Sequence, residues 1–257
     1  NAGNGTFLPE QRFGTGAFTV DLAVGDFNGD GDPDVAAVNL SDGDVSVLVN
    51  SGGTFLPQVR YATGPDPLAA AVGDFDGDGD LDLAVTAGDG TVSVLRNAGD
   101  GTFGAFEPRS AGESPVGIDA GDVDGDGDVD LVVSNETDSA VSLLVNDGAG
   151  GFAAPVGFGV GGGPRWAVLG DLNGDGRPDL LTPNRFADTA TVRLNACGGA
   201  SCPADLDDSG VVGVNDLLVL LAAWGPCGAD CPGDLDGSGE VGVSDLLALL
   251  AAWGPCP

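Results

Sequence analysis

Asp26, Asn28, Asp30 and Asp34 set side-chain oxygens at the first, third, fifth and ninth positions of the stretch DFNGDGDPD, and the carbonyl of Asp32 adds one at the seventh. Gly29 and Gly31 let the backbone curl around a point, because glycine takes positive φ without steric cost. Hard oxygen donors in this pattern suit calcium. The chain has no His and no Cys near this stretch, so zinc, copper and haem find no ligands here. The set returns as Asp74, Asp76, Asp78 and Asp82 with the carbonyl of Asp80, and as Asp122, Asp124, Asp126 and Asp130 with that of Asp128. A fourth copy uses Asp171, Asn173, Asp175 and Asp179, with Arg177 at the carbonyl position, where a like charge weakens the hold on a cation. The competing reading is a row of solvated Asp-Gly turns without metal, which leaves clustered carboxylates repelling one another.

Two further loops near the C-terminus follow a different, twelve-residue pattern. The first offers Asp205, Asp207, Ser209, the carbonyl of Val211 and Asp216, with Gly210 at the sharp turn. The second offers Asp234, Asp236, Ser238, the carbonyl of Glu240 and Asp245, with Gly239 turning. Up to six calcium ions are therefore expected, four in the first kind of loop and two in the second.

These loops account for an unusual charge. Of 257 residues, 40 are acidic and 8 basic, a formal charge of −32, and 25 of the acids fall in the six loops. Such a field repels nucleic acid and anionic membrane surfaces, so neither is an expected partner. With 42% hydrophobic residues the chain is not composed like a disordered polyanion. Its longest apolar run, around Leu217–Trp224, is far below the roughly 20 residues that cross a bilayer, so no membrane insertion is expected. The sequence opens on Asn1 and contains no Met, as a processed or truncated piece would.

The elements that must hold the loops can be read from their spacing. The first aspartates, Asp26, Asp74, Asp122 and Asp171, lie 48, 48 and 49 residues apart, and Phe7, Phe55, Phe103 and Phe152 each precede one by 19. A fixed period with fixed internal offsets means stacked copies of one unit. Within a unit, short Val-rich segments are predicted as strands at Leu22–Gly25, Val35–Val38, Val45–Val49 and Phe55–Tyr61, separated by NG, DG and GG turns. Four strands in about 48 residues is the size of a propeller blade, with a solenoid or sandwich as alternatives. The pattern D-x-(D/N)-G-D-G-x-x-D between hydrophobic strands resembles the FG-GAP/VCBS repeats of integrin-α-type propellers, over residues 1 to about 195. Residues 1–16 match the fourth-strand segment that the last unit lacks. They either close a ring of four blades or follow upstream blades cut off at a repeat boundary.

Residues 196–203 read as a linker, and 204–257 as a second domain built of two copies offset by 29 residues. Each copy runs from its loop into an amphipathic helix, Leu217–Trp224 or Leu246–Trp253, that stops at Gly-Pro. Trp224 and Trp253 are expected in a small core with Leu217, Leu220 and Leu221. Loop plus exit helix, duplicated, with Asp in the twelfth place, resembles the type I dockerin family, a small α-helical EF-hand-like domain. That resemblance implies a protein partner docked by the tail. The chain departs from the family at Gly213 and Gly242, and at the recognition pairs Val214-Asn215 and Val243-Ser244. All five cysteines lie between Cys197 and Cys256, which suits an oxidising, extracellular compartment, here outside a bacterial cell, secreted or surface-displayed. Equal brackets suggest Cys202 with Cys227 and Cys231 with Cys256, although four cysteines allow about three connectivities, and Cys197 is left over.

An enzyme is not expected. Without His the commonest tunable acid or base is missing, and most Asp is committed to the loops. Three readings follow: an adhesion or display scaffold anchored by its tail, a lectin-like propeller binding glycan or protein through Trp166 and Arg165, or the non-catalytic end of a larger secreted enzyme. Trp166 occupies the place held by Asp21, Ala69 and Gly117 in the other units, and a space-filling role there competes with ligand stacking.

Overall fold

The computed structural model describes residues 5, 7, 9–195, 204, 206, 211–226, 231, 233–236 and 238–255. It contains two compact units, one of Asn1–Val168 with Thr182–Thr191, the other of Leu169–Leu181 with Val192–Pro257.

The first repeat is an antiparallel sheet of β1 (Thr19–Gly25), β2 (Asp34–Asn39), β3 (Asp44–Leu48) and, after a small hairpin of β4 (Asn50–Ser51) and β5 (Thr54–Phe55), β6 (Val59–Ala62). The second holds β7 (Ala70–Gly73), β8 (Asp82–Ala87), β9 (Thr91–Leu95) and β10 (Glu107–Ser110). The third holds β11 (Pro115–Gly121), β12 (Asp130–Asn135), β13 (Ala140–Leu144) and β14 (Val156–Gly159). The fourth has three strands, β15 (Val168–Gly170), β16 (Asp179–Asn184) and β17 (Thr189–Arg193). Residues 9–16 form no strand, so the completion of the last sheet by residues 1–16 is not formed among the described residues. The expected fourth strand Phe55–Tyr61 divides in two. Leu56 donates its N–H to the Val49 carbonyl, which closes the hairpin, and Pro57 has no N–H with which to continue a ladder.

Apolar layers lie between the first and second sheets and between the second and third. Ala23, Phe27, Ala36, Val38, Val45 and Val47 of the first repeat pack on Leu83, Val85, Leu95 and Phe103 of the second, with Ala70 and Val72 partly buried beside them. Ala69, Ala71, Phe75, Ala84, Val92 and Val94 of the second pack on Ile118, Leu131, Val133 and Leu144 of the third. The second sheet is thus covered on both faces, and β8 and β12 are buried along their whole length. Polar ties cross the same junctions. Asn97 donates from Nδ2 to the Phe27 carbonyl at 2.7 Å, and Asn146 donates to that of Phe75 at 3.0 Å. Phe103 meets Phe27 edge-on at 5.5 Å, and Phe152 meets Phe75 at 5.9 Å. Asp21 accepts the Ala70 N–H at 3.0 Å, a role for this carboxylate outside any loop.

Beyond the repeats, β18 (Val211–Val212), α1 (Val214–Ala222) and β19 (Gly225–Pro226) are followed by β20 (Glu240–Val241), α2 (Val243–Ala251) and β21 (Gly254–Pro255). The two copies interlock: β18 pairs with β21, and β19 with β20. Both helices start three residues before the sequence reading, because Asp216 and Asp245 sit in the first turn and accept the N–H of Gly213 and Gly242 at 2.7 Å each. They end before the tryptophans. Trp224 and Trp253 are each 46% exposed, as is Leu221, so the small core is built on Leu220, as expected, with Ala204, Val212, Val241 and Leu249, and Leu217 is partly buried against it. Cys231 is disulfide-bonded, and the other four cysteines lie outside the described residues.

The repeat ties generate a graded expectation. Asn97 and Asn146 each reach two carbonyls, one in their own repeat and one in the preceding repeat, whereas Asn50 reaches the Pro33 carbonyl alone. A buried group left unpaired costs about 1–3 kcal/mol. Asn97→Ala and Asn146→Ala should therefore lower unfolding free energy in urea by about 2–4 kcal/mol, and Asn50→Ala by about half as much. Equal losses at all three positions would show that the ties across the junctions add nothing.

Candidate metal centres

Each repeat loop leaves the first edge strand of its sheet at its first aspartate and re-enters the sheet at its ninth-place aspartate, so both ends are anchored by strands. Backbone N–H groups organise the acids between. Asp26 accepts from Asp30 at 3.2 Å and Gly31 at 2.8 Å, Asn28 accepts from Asp30 at 3.1 Å, and Asp30 accepts from Asp32 at 2.8 Å. In the second and third loops, Asp74 accepts from Gly77 and Gly79, and Asp122 from Gly125 and Gly127, all within 3.0 Å. Asp78 and Asp126 accept from Asp80 and Asp128 at 2.9 Å. The fourth loop repeats the scheme, with Asp171 accepting from Gly174 and Gly176, Asn173 from Asp175, and Asp175 from Arg177. Gly29 and Gly31 take φ of 68° and 88°, as do their equivalents in every repeat loop within a similar range.

Three sets of carboxylates converge. One oxygen from each of Asp74, Asp76 and Asp78 lies within 4.8 Å of the others, and the same holds for Asp122, Asp124 and Asp130, and for Asp234, Asp236 and Asp245. Calcium ligands stand about 2.3–2.6 Å from the ion, so two oxygens on one ion are at most about 5 Å apart. The donor sets fit. In the first and fourth loops Asn28 and Asn173 hold the third place, and no three carboxylates come so close there among the described residues. An unpaired donor supports the fit in the second loop: Asp76 gives Oδ2 to Arg96 at 2.6 Å, while its Oδ1 is buried without a hydrogen-bond partner. Bound calcium would supply fixed positive charge at these oxygens.

The ninth-place aspartates carry a role that the sequence reading missed. Asp34, Asp82, Asp130 and Asp179 are completely buried. Each accepts two backbone N–H groups, from Phe27 and Asn50, Phe75 and Asn97, Val123 and Asn146, and Leu172 and Asn195, at 2.6–3.1 Å. They clamp the loop entrance to the exit of the third strand. The recurring Asn at 50, 97, 146 and 195 was the available signal. In the tail, Asp216 accepts from Leu206 and Gly213, and Asp245 from Leu235, Asp236 and Gly242. Asp234 accepts from Ser238 and Gly239, and the Ser238 hydroxyl donates to the Glu240 carbonyl. Asp205, Asp207 and Ser209 lie outside the described residues.

Trp166 and Arg165 belong to none of these loops. Trp166 is 55% exposed and does not fill a gap, and the Arg165 guanidinium lies 5.8 Å from its ring centre. Gly117 permits the approach of this segment, since a Cβ there would meet the Arg165 carbonyl at 2.6 Å.

Burial pushes the Asp82 carboxyl up to about 6, and the charges of Asp76 and Asp78 act in the same direction. Burial likewise raises Asp130 and Asp124. An unfolded Asp titrates near 3.9, so the folded metal-free chain holds these protons more tightly than the unfolded chain. The stabilising contribution of Asp82 is full below about pH 4 and is lost as pH rises through about 6, and those of Asp124 and Asp130 change in the same direction. Carboxyls lowered by backbone N–H groups, such as Asp171, are already ionised throughout this window. Metal-stripped protein should therefore melt higher at pH 5 than at pH 7, and saturating calcium should abolish or reverse that order. A melting temperature that falls with acid in stripped protein would remove repulsion among the loop acids as a factor.

The FG-GAP-like repeat family matches the chain four times, over residues 1–37, 26–85, 74–133 and 122–182. No curated relative matches the sequence. Solved structures that are similar include a lectin of Agrocybe aegerita that recognises non-reducing terminal N-acetylglucosamine, at 20% identity over 67% of this chain and 51% of that one, TM-score 0.46. An auxiliary nutrient binding protein of Bacteroides ovatus is 12% identical over 70% of this chain and 47% of its own, TM-score 0.46. The Tc holotoxin pore of Photorhabdus luminescens is 20% identical over 67% of this chain and 9% of its own, TM-score 0.44. The chain thus spans at most about half the length of these three structures. With four matches that together run from residue 1 to 182, and four sheets at the same period, the chain belongs to the FG-GAP-like repeat family.

Proposed function

We propose that this chain is a non-catalytic, calcium-binding propeller scaffold that works outside the cell, with its C-terminal loop-helix pair acting as a dockerin-like EF-hand module for a protein partner. The observation that carries this reading is the convergence of acids in loops of both kinds, Asp122 with Asp124 and Asp130, and Asp234 with Asp236 and Asp245. The interlocked strands β18 with β21 and β19 with β20 support a single two-copy module, in which either copy can offer the same face. Its exposed Val214 and Val243, the first members of the recognition pairs named above, head the two helices.

Calcium in such sites stabilises the fold by about 2.7 kcal/mol per site when free ion is a hundredfold above its dissociation constant. Chelation should lower the melting temperature of the repeats by many degrees, and calorimetric titration of stripped protein should approach six ions. Asp205→Ala with Asp234→Ala should abolish calcium-dependent capture of a surface partner and leave the melting of the repeats in place. Equal melting with and without chelator would reject the metal reading, and capture surviving both changes would reject the docking reading.

The exposed Trp166 with Arg165 beside its ring favours a second reading, a carbohydrate-binding propeller. Under it, Trp166→Ala stays folded and loses binding on a glycan array. Unchanged binding, or none in the parent chain, removes that alternative.

A further inference from the structure

The run Asn-Gly-Asp-Gly occurs twice, at residues 28–31 and 173–176, in the same place of the first and fourth repeat loops. An asparagine followed by glycine is open to a reaction with its own backbone. The glycine nitrogen attacks the side-chain carbon, Cγ, and with no Cβ on glycine little shields the approach. The two copies share the residues on which this chemistry chiefly depends, so a difference between them comes from the fold.

The electrophile is prepared in both loops. The Asp30 N–H donates to Oδ1 of Asn28 at 3.1 Å, and the Asp175 N–H to Oδ1 of Asn173 at 3.0 Å. A donor placed there polarises the amide carbon and stabilises the oxyanion that forms when it is attacked. The nucleophile is free in one loop alone. Gly174 donates its N–H to Asp171 at 2.6 Å, as Gly77 does to Asp74 and Gly125 to Asp122, each at 2.8 Å. In the first loop Asp26 takes instead the N–H groups of Asp30 and Gly31, at 3.2 and 2.8 Å, and the Gly29 N–H has no partner among the described residues. An amide proton held by a carboxylate is harder to remove, because the nitrogen anion left behind would face a negative charge.

We propose that Asn28 is a self-modifying residue, converted after synthesis to aspartate or isoaspartate, and that the bond from Gly174 to Asp171 protects Asn173. The Gly29 nitrogen loses its proton to solvent base and bonds to Cγ of Asn28. The Cγ–Nδ2 bond breaks and Nδ2 leaves as ammonia, with a proton from water, so that a succinimide ring remains. Water then opens the ring, at Cγ to give aspartate or at the main-chain carbonyl to give isoaspartate. Nothing is oxidised or reduced. Either product carries a negative charge that the amide lacked, and it loses the Nδ2 donation to Asp30. Aspartate here gives the first loop the third-place acid that Asp76 and Asp124 provide in the second and third. Under the calcium reading, on which only this consequence rests, the first loop thereby gains a stronger hold on a cation.

Exposure alone favours the opposite order, because Asn173 is exposed and Asn28 half-buried. The test is peptide mapping by mass spectrometry of the full chain, kept at mildly alkaline pH in chelator below the melting temperature measured in that buffer. Chelator leaves both amides unliganded, so the result does not depend on the calcium reading. Asn28 should lose its amide about tenfold faster than Asn173, the factor set by one hydrogen bond to a charged group. In concentrated urea the two rates should converge. Asp171→Ala, which releases the Gly174 N–H, should raise the rate at Asn173 towards that at Asn28. Conversion of Asn173 as fast as that of Asn28 in the folded chain overturns the proposal, as does an unmoved rate at Asn173 in the variant. So does a difference that persists in urea, which assigns it to sequence, or an Asn28 that stays intact in the folded chain while the unfolded chain converts both.

Discussion

A carboxylate taken out of water without a countercharge is costly, and it is retained only where hydrogen bonds replace the water it has lost. Each repeat contains one. Asp34, Asp82, Asp130 and Asp179 are wholly buried, and each accepts one N–H from the start of its loop and one from the residues that follow the third strand. The clamp holds three strands and the loop in a single geometry. The tail reaches the same solution with a different motif, since Asp216 and Asp245 are buried and gather N–H groups from both ends of their loops. In both motifs the last acid of the loop fixes the frame, and in the third repeat loop and the second tail loop that acid, Asp130 or Asp245, also converges with two earlier ones.

That division of labour separates structure from charge. The clamps can be satisfied by backbone alone, but the remaining loop acids lie near one another and near the surface, where backbone N–H groups offset only part of their repulsion. Arg96 offsets a further part in the second loop, by taking one oxygen of Asp76. In the first and fourth loops, Asn28 and Asn173 replace a carboxylate and donate to Asp30 and Asp175, which lowers the repulsion without a cation. The four repeat loops are therefore unequal, and the two with the most carboxylates carry the most repulsion.

Much of this was legible in the residues. The period, the glycine-punctuated loops and the three central strands follow from residue type and spacing, because backbone curl and alternation are local properties. What could not be read locally were the partners. The expected strand Phe55–Tyr61 contains Pro57, and the proline was visible, but the hairpin that Leu56 closes with Val49 depends on the preceding strand. Trp224 and Trp253 read as core from helical spacing, yet each helix ends before them and they face solvent. Left-handed φ at Phe18, Asp66 and Ser114, each eight residues before a first aspartate, is signalled only by Gly163, which holds the same place in the fourth repeat with φ 68°, since the other three residue types share nothing except that place.

The residue after the first aspartate joins the loops to the junctions between repeats. Phe27 donates its N–H to the clamp Asp34, gives its carbonyl to Asn97 of the next repeat, and sets its ring against Phe103 of that repeat. Phe75 does the same with Asp82, Asn146 and Phe152. One residue therefore ends in three places at once: the frame of its own loop, the polar tie to its neighbour and the apolar layer between them. A loop that opens under its own charge must move this residue, and with it both halves of the junction. Neutralising the loop, by protons or by a cation if one binds, would then stabilise the contact between sheets as much as the sheet that carries it, an effect on stacking that no single repeat can achieve alone.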